Sequence, residues 1–286
     1  MSLKSFFRIF LKNKRKLFYV TDDKGLSLLE DELSKHSIFA LDTEFDWRTT
    51  YYPKLSLIQI SVKQRLFLID CLKINPQRIL KKFLEDKKIL KIFHSVRSDA
   101  TVLSKCLSIK TINTFDIQQA EKLLSNNEIK SYGKIVKNFF GINLDKSETN
   151  SNWLKRPLSE LQIRYALEDV DYLLEIYHYQ KKKLIKRNLL DQALFFSKQE
   201  VDLGNESLRK LRLKKNKKKF NIRNKEIFLW REDLAEKDNI PPAFIFKDRY
   251  LKELSRIKSQ DALARKKVMK IIGSSEITDK FISTFL

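Results

Sequence analysis

The sequence has little of the chemistry that builds disulfide frameworks or zinc sites. Only two cysteines, Cys71 and Cys106, and three histidines occur among its 286 residues. Two cysteines are too few for a disulfide framework or a thiolate zinc site. We therefore predict that both are small apolar residues in a protein that works in a reducing compartment.

Long apolar runs are also absent. No stretch approaches the length that spans a bilayer, so we predict a cytoplasmic protein with no membrane segment. Residues 1–16 are basic and free of acids, but Arg8 and Lys12 interrupt their apolar part and no small-residue cleavage site follows. We interpret this stretch as a basic arm or a short first helix, and a membrane-surface or transit role is the alternative.

Acidic residues are outnumbered throughout the chain. Lys and Arg total 58 against 36 Asp and Glu, a formal net charge of +22. Residues 201–286 hold 22 basic and 12 acidic residues, so the excess is densest there. Such a balance favours a polyanionic partner, with nucleic acid first and an anionic membrane second.

The apolar content is that of a folded protein, because 42% of the residues are hydrophobic and 20 are Phe. The length favours about two domains. Strands alternate with helices up to residue 117, and helices dominate from residue 119, which predicts an α/β domain with a helical annex. The predicted strands are 17–20, the run in 37–46, 55–62, 65–69, 89–93 and 111–117, and the early helices are 24–35, 76–84 and 97–107.

The segment SIFALDTEFD, residues 37–46, places acids at the end of an apolar run. Its first apolar residues leave neither face polar, as is typical of a strand covered on both sides. Asp42 and Glu44 are two residues apart, so in a strand both carboxylates leave the same face. The alternative is a strand end that reaches solvent.

A third acid, Asp99, falls in the first turn of the helix predicted after strand 89–93. An acid at this position can also be ordinary complementation of the helix dipole. His94, at the end of the same strand, is interpreted as a hydrogen-bonded structural residue.

A fourth acid lies on the helix that follows Pro157. Ser159 and Gln162 form a capping-box pattern, so the helix is predicted to begin there. Tyr165 and Asp169 are four residues apart and share a stripe of that helix, although such a pair is often only a surface hydrogen bond. Asp171 is predicted to point away from Tyr165, whereas spacing alone does not exclude Glu168.

The four carboxylates offer only oxygen ligands, which suit Mg²⁺ or Mn²⁺ rather than zinc. Two such ions about 4 Å apart can bind the attacking and the leaving oxygen of a phosphodiester. A tyrosine beside the attacking water can orient it or help to remove its proton.

The motifs DTEF with YYPKLSLIQIS, HSVRSD, and YALED occur in that order, and the stretch from YGKIVKNFFG to PLSEL lies between the last two. Over about residues 17–195 the sequence resembles ribonuclease D, in the tyrosine subclass of the DEDD superfamily of 3′–5′ exonucleases. The resemblance implies a ribonuclease H-like mixed five-stranded sheet flanked by helices, with Tyr165 beside the attacking water. It also implies the metal ligands Asp42, Glu44, Asp99 and Asp169.

The C-terminal part is similar to the small all-α HRDC domain, through WRE, the Pro241–Pro242 break and KDRYLKEL. HRDC domains are taken to help hold nucleic acid. Asp248 is predicted to cap the helix that runs to residue 254. The lysine-rich stretch 211–220 is interpreted as a linker or an exposed helix end, with phosphate contact as an equal alternative. For Lys146 and Arg156, solvated surface is favoured over phosphate contact.

We therefore predict an exonuclease domain at 1–200, a basic linker at 201–220 and an HRDC-like domain at 221–286. The expected function is metal-dependent 3′–5′ trimming of tRNA precursors and other small structured RNAs, with release of nucleoside 5′-monophosphates. Two divalent ions, Mg²⁺ or Mn²⁺, are the expected cofactors, and a monomer is expected. The alternatives are a DNA 3′–5′ exonuclease with the same site and a catalytically silent RNA-binding protein.

Overall fold

Six strands form one mixed sheet in the computed structural model, which describes residues 15–216 and 220–286. The spatial order is β1-β4-β3-β2-β5-β6; β3 runs antiparallel to both its neighbours, and the other pairs are parallel. The strands are β1 (Lys16–Val20), β2 (Ile38–Asp46), β3 (Lys54–Val62), β4 (Arg65–Asp70), β5 (Leu90–Phe93) and β6 (Thr114–Asp116).

Helices cover both faces of this sheet. Three of them pack with one apolar cluster: α1 (Asp23–Leu33), α2 (Gln77–Leu84) and α3 (Arg97–Leu107). The other cluster is covered by α4 (Ile117–Leu124), α5 (Tyr132–Phe140), α6 (Glu160–Asp171) and α7 (Leu173–Lys186). Because both faces of the sheet are covered, the consecutive residues Phe39, Ala40 and Leu41 of β2 are all fully buried. The ribonuclease H-like α/β architecture is confirmed.

The six strands predicted from the sequence are all present, whereas the count of five that the resemblance implied is wrong. The extra edge arises because β1 pairs in parallel with β4, from Lys16 opposite Arg65 to Val20 opposite Ile69. The observed strand β6 is shorter than the predicted strand 111–117. Asp116 ends it, because its carboxylate accepts a hydrogen bond from the amide of Gln118 and caps α4.

A close helix crossing holds α3 in place. Helix α8 (Leu190–Asn205) reaches α3 at Gly204, where an added Cβ would come within 2.5 Å of the Arg97 carbonyl oxygen. The hydroxyl of Thr101 donates a hydrogen bond of 2.9 Å to the Gly204 carbonyl. Only glycine allows this approach, and α3 is the helix that carries Asp99.

The chain divides into two units, one of residues up to 46 with 54–205, the other of 47–53 with 206–286. The second unit contains α9 (Leu208–Asn216), α10 (Ile222–Lys237), α11 (Pro242–Ile245), a 3₁₀ turn (Asp248–Tyr250), α12 (Leu251–Leu254), α13 (Ala262–Ile272) and α14 (Ser275–Phe285). The domain bounds 1–200, 201–220 and 221–286 stay a prediction.

The second unit is organised around α10. Phe228 of this helix is fully buried, and Trp230 and Leu234 are partly buried against the same cluster. The loop residue Tyr51 belongs to this unit, and its hydroxyl lies 3.3 Å from Oε2 of the buried Glu232. The guanidinium of Arg212 lies over the Tyr51 ring, 4.5 Å from its centroid.

Two local predictions in this unit can be compared with the structure. Asp248 does not cap the helix to Leu254; it opens the 3₁₀ turn, and its carboxylate pairs with Arg231 at 2.7 Å. A buried guanidinium attracts the carboxylate more strongly than exposed amides do.

Residues 211–216 continue α9, whereas 217–219 and the N-terminal arm at 1–14 lie outside the described residues. Within the described ranges, no helix is both long and apolar enough to cross a membrane.

Candidate active site

Strand β2 supplies the first two acids. Asp42 lies opposite Gln59 and Glu44 opposite Leu57 in the antiparallel pair with β3. The pleat therefore directs both carboxylates to one face, as predicted from their spacing. The pairing shifts register between Glu44 and Phe45, so an irregularity follows the second acid directly, as is common beside active sites.

The third acid is held by a neighbouring strand and helix. Asp99 lies in the first turn of α3, which follows β5, and β5 is the parallel neighbour of β2. The residue is 4% exposed, and its carboxylate accepts a hydrogen bond of 2.6 Å from the hydroxyl of Thr43. Asp99 is thus fixed from the strand that carries Asp42 and Glu44.

The fourth acid and the tyrosine lie on α6. The helix begins with the predicted capping box, in which Ser159 Oγ accepts from the Gln162 amide and Gln162 Oε1 accepts from the Ser159 amide. Tyr165 and Asp169 follow on one face, and the tyrosine hydroxyl lies 3.3 Å from Thr149 Oγ1. The ring of buried Trp153 packs on Tyr165 with 5.9 Å between centroids.

The fold brings all five predicted site residues to one cleft of about 280 Å³. One carboxylate oxygen each from Asp42, Glu44 and Asp169 lies within 4.8 Å of the others. Asp99 lines the same cleft but is outside this tight set, because its carboxyl is turned to Thr43. Tyr165 and Asp169 both line this cleft.

The cleft raises the pKa of each acid. Burial and the neighbouring carboxylates raise the pKa of Asp42 and of Glu44 well above their usual ranges. Burial is also the main cause for Asp99 and Asp169, whose pKa values rise to about 7. Clustered carboxylates in a desolvated site repel one another, so they bind either protons or a cation.

The donor set fits hard divalent cations. Within residues 15–216 and 220–286, no ion pair joins a Lys or Arg to any of the four acids. Three convergent carboxylates and a fourth on the cleft wall offer oxygen ligands, which Mg²⁺ and Mn²⁺ prefer. The residues present therefore fit a divalent metal site.

Residues not singled out from the sequence also shape the cleft. Ser95, Ser98 and Tyr132 line it together with Thr43. Tyr132 is anchored to α6, because its hydroxyl donates a 3.0 Å hydrogen bond to the Glu168 carbonyl. The spacing of the acidic motifs contains no signal for such contacts, which depend on tertiary packing.

His94 lines the cleft as a hydrogen-bonded residue. Its Nε2 lies 3.4 Å from the Lys130 carbonyl, and its ring packs on Tyr132 with 5.5 Å between centroids. Burial lowers the pKa of His94 to about 4. The ring is therefore neutral at physiological pH.

The two acids set aside in the sequence do other work. Asp171 is buried and lies 3.2 Å from Arg15 Nε. Glu168 stands next to Asp169 but outside the set of three convergent carboxylates.

Arg156 is not solvated surface: its Nε and Nη2 each lie 2.7 Å from one oxygen of buried Asp70. A guanidinium held in this fork is not available to a phosphate, whereas Lys146 is exposed as expected.

Two family models match the sequence of the chain. The model described as 3′–5′ exonuclease covers residues 17–185. The model described as HRDC domain covers residues 223–280. The two matches agree with the order of the sheet-containing and the helical unit.

Curated proteins similar to this chain include ribonucleases D. The protein of Pseudomonas paraeruginosa is 30% identical over 248 residues, which cover 84% of this chain and 65% of that protein. The protein of Bartonella henselae is 33% identical over 250 residues, covering 84% and 61%. The chain thus spans less than two thirds of the length of these two relatives.

Solved structures show the same fold. RNase D of Escherichia coli, described as an exoribonuclease involved in structured RNA processing, superposes with a TM-score of 0.82 at 25% identity, covering 94% of this chain and 75% of that one. The catalytic core of RRP6 from Trypanosoma brucei gives 0.69 at 23% identity, covering 100% and 82%. The resemblance to ribonuclease D is confirmed, and the chain belongs to the 3′–5′ exonuclease family, with an HRDC domain after the exonuclease fold.

Proposed function

We propose that the chain is a metal-dependent 3′–5′ exoribonuclease that trims small structured RNAs, tRNA precursors among them, from single-stranded 3′ ends. Its cofactors are two divalent ions, Mg²⁺ or Mn²⁺. It works as a cytoplasmic monomer and releases nucleoside 5′-monophosphates. The proposed metal ligands are Asp42, Glu44, Asp99 and Asp169, and Tyr165 is the residue at the attacking water.

One observation carries this proposal. Asp42, Glu44 and Asp169 bring their oxygens within 4.8 Å, and burial together with neighbouring carboxylates raises the pKa of each. A fold gains no stability from such crowding. Bound cations remove the repulsion, so the cluster is explained by metal binding.

The reaction is hydrolysis of the last phosphodiester. The oxygen of water bonds to phosphorus, the bond to the 3′ oxygen of the preceding nucleotide breaks, and that oxygen takes up a proton. When bound, the divalent ions supply the positive charge that activates the water and stabilises the leaving oxygen.

Tyr165 is placed to orient the attacking water. Burial and nearby Asp169 raise the pKa of the phenol above its ordinary value, so the hydroxyl keeps its proton at neutral pH. A neutral phenol still donates one hydrogen bond and accepts another. Contact with Thr149 and packing on Trp153 fix its direction.

RNA is the proposed substrate because of the relatives and the charge of the chain. The similar curated proteins are named ribonuclease D, and the similar Escherichia coli structure is described as an exoribonuclease. The net charge of +22 and the HRDC domain support a polyanionic partner.

The test uses an RNA hairpin with a single-stranded 3′ tail, labelled at its 5′ end, beside a DNA copy of the same sequence. Protein is added in Mg²⁺, in Mn²⁺ or in EDTA. We expect a ladder that shortens from the RNA 3′ end in either metal and is absent in EDTA. An equal or stronger ladder on DNA would make the protein a DNA exonuclease, and binding with no ladder would make it a silent RNA-binding protein.

Two variants on neighbouring positions sharpen this test. Asp169→Asn removes a proposed ligand, whereas Glu168→Gln makes the same change one residue earlier on α6, outside the convergent set. We expect the first variant to abolish the ladder and the second to retain it. Equal loss in both would remove the assignment of Asp169.

A further inference from the structure

A second cavity of about 550 Å³ lies in the exonuclease unit, away from the four acids. It is formed by the ends of α4 and α5 and by one face of α7. The residues that carry its chemistry are Lys130, Phe139, Phe140, Tyr179, Lys183 and Arg187. Of these residues only Lys130 touches the site described above, through the contact of its carbonyl with His94.

Two aromatic rings are presented to solvent at this cavity. Phe140 is 40% exposed and Tyr179 is 44% exposed. Both are braced from behind: Phe139 meets Tyr179 edge to face at 4.7 Å, and Tyr172 lies 5.2 Å from Phe140. Rigid, exposed rings of this kind are platforms for stacking a nucleobase.

Basic groups stand beside these rings. The Lys183 ammonium lies 4.3 Å from the centroid of Tyr179. Arg187 uses one of its five N–H donors on the Leu124 carbonyl at 3.2 Å. The Lys183 ammonium thus covers one face of the Tyr179 ring, so a base can stack on Phe140 and on the opposite face of Tyr179, while Lys183 and Arg187 offer a separate place for its phosphate.

Each acid at the cavity has a basic partner, although Glu175 shares Arg15 with Asp171. Glu121 accepts from Lys130 at 2.8 Å and from Gln180 Nε2 at 3.0 Å. Glu175 pairs with Arg15. Lys183 and Arg187 are left to set the charge at the open side, so the cavity favours an anion.

One residue separates this cavity from the active-site cleft. The carbonyl of Lys130 accepts hydrogen bonds from His94 Nε2 at 3.4 Å and Gln118 Nε2 at 3.2 Å. His94 lines the cleft, whereas Lys130 lines the second cavity. A residue that lines the cleft thus contacts one that lines the cavity, and this adjacency makes nucleotides upstream of an RNA 3′ end the candidate occupants of the cavity.

We propose that this cavity binds a nucleotide of single-stranded RNA upstream of the 3′ end, a role that rests on the proposed function only for the choice of RNA. The base stacks on Phe140 and Tyr179, and Lys183 and Arg187 hold its phosphate. Contact here ties the substrate to the enzyme independently of the metal ligands.

The test measures binding by the full chain carrying Asp42→Asn, in EDTA, so that no RNA is consumed. Probes are fluorescein-labelled oligouridylates of four and twelve nucleotides, followed by anisotropy. Lys183→Glu reverses a charge that lines the cavity, and Lys182→Glu makes the same change at the adjacent exposed position, which does not line it. Tyr179→Ala removes one stacking ring.

We expect Lys183→Glu and Tyr179→Ala each to weaken binding of the twelve-nucleotide RNA about tenfold and to leave the four-nucleotide RNA unchanged. Lys182→Glu should change either affinity less than about twofold. Thermal melting of each variant shows whether the fold is intact. Irradiation with a 4-thiouridine-substituted twelve-nucleotide RNA should crosslink to the peptide of α7 that contains Tyr179.

Equal weakening by Lys182→Glu and Lys183→Glu would overturn the proposal, since the effect would then be general surface charge. Absence of RNA binding would overturn it as well. Binding that depends on Lys183 in a protein that yields no ladder in metal would refute the proposed nuclease function and leave this site standing.

Discussion

Asp70, Asp171 and Glu232 are buried acids outside the cleft that have arginine partners, whereas in the described residues no arginine pairs with an acid of the cleft. Asp70 receives two hydrogen bonds of 2.7 Å from Arg156 and one of 2.6 Å from Tyr19. Although burial raises the pKa of Asp70, these donors bring it below the usual range. Asp171 pairs likewise with Arg15, and Glu232 in the C-terminal unit pairs with Arg212 at 2.9 Å.

Asp42, Glu44 and Asp169 are partly buried and have one another as neighbours. A protein that contains 58 basic residues has cations to spare, and at Asp70 and Asp171 the fold uses them. In the described residues, none is placed against the cleft acids. The negative charge of the cleft acids is therefore left for cations from solution to balance.

The largest effect is expected from Asp42→Asn. Removing one proposed ligand should lower the rate of RNA trimming about a thousandfold, because several kcal/mol of charge stabilisation in the transition state depend on the ions. Stability should not fall, since the change also removes repulsion. Rate is measured by gel on labelled RNA and stability by urea unfolding; trimming at the wild-type rate would refute the role of Asp42.

Asp70→Asn should show the reverse behaviour. Breaking a buried ion pair leaves the Arg156 charge without its partner, so the free energy of unfolding should fall by about 3 kcal/mol. The urea midpoint measures this loss, and the remaining folded protein should still trim RNA. A loss of activity with unchanged stability would show that Asp70 belongs to the site and would erase the distinction drawn above.

The cleft acids should make the stability of the metal-free protein depend on pH. Asp169 has its pKa raised from 3.8 to about 7, so the folded state binds a proton that the unfolded chain has lost. Its stabilising contribution is complete below pH 3.8 and disappears as the pH rises to about 7. In EDTA at pH 8, Asp169→Asn should therefore melt about 3 °C above the wild type, with the gap closing near pH 4.

Metal addition provides the control for that prediction. Mg²⁺ or Mn²⁺ at pH 8 should raise the melting temperature of the wild type and have little effect on Asp169→Asn. A similar rise in both proteins would mean that the ions bind elsewhere.

His94 should give the smallest effect, with the opposite sign. Its pKa is lowered from 6.5 to about 4 by burial, so the unfolded chain binds the proton that the folded state refuses. Stability from neutral His94 is present above pH 6.5 and is lost as the pH falls toward 4. In His94→Gln, the fall in melting temperature between neutral pH and about pH 4 should be smaller than in the wild type by about a degree or two. An equal fall in both proteins would contradict the lowered pKa.

The cleft could be predicted because its residues sit in short local patterns. Asp42 and Glu44 are related by the strand repeat, and Tyr165 and Asp169 by the helix repeat, so sequence spacing fixes which side chains share a face. The capping box at Ser159 was likewise readable, because it involves residues three apart. Motif order and resemblance then joined the local patterns into one site.

Contacts between distant residues could not be predicted in this way. Arg156 and Asp70 are 86 residues apart, and the fork between them exists only because the chain returns to the end of β4. The hydrogen bond from Thr43 to Asp99 spans 56 residues. Asp248 was misread for the same reason, since a local capping signal competes with Arg231 and loses.

The loop of residues 47–53 bears on how such proteins can be taken apart and recombined. It leaves the exonuclease sheet after Asp46, contributes the fully buried Tyr51 to the C-terminal unit, and returns at Lys54. The helical unit is therefore not a self-contained module of the gene, because a piece that starts at residue 206 lacks part of its own core. Exchange of C-terminal domains between relatives should therefore give folded proteins only when the loop that corresponds to residues 47–53 is exchanged together with the domain.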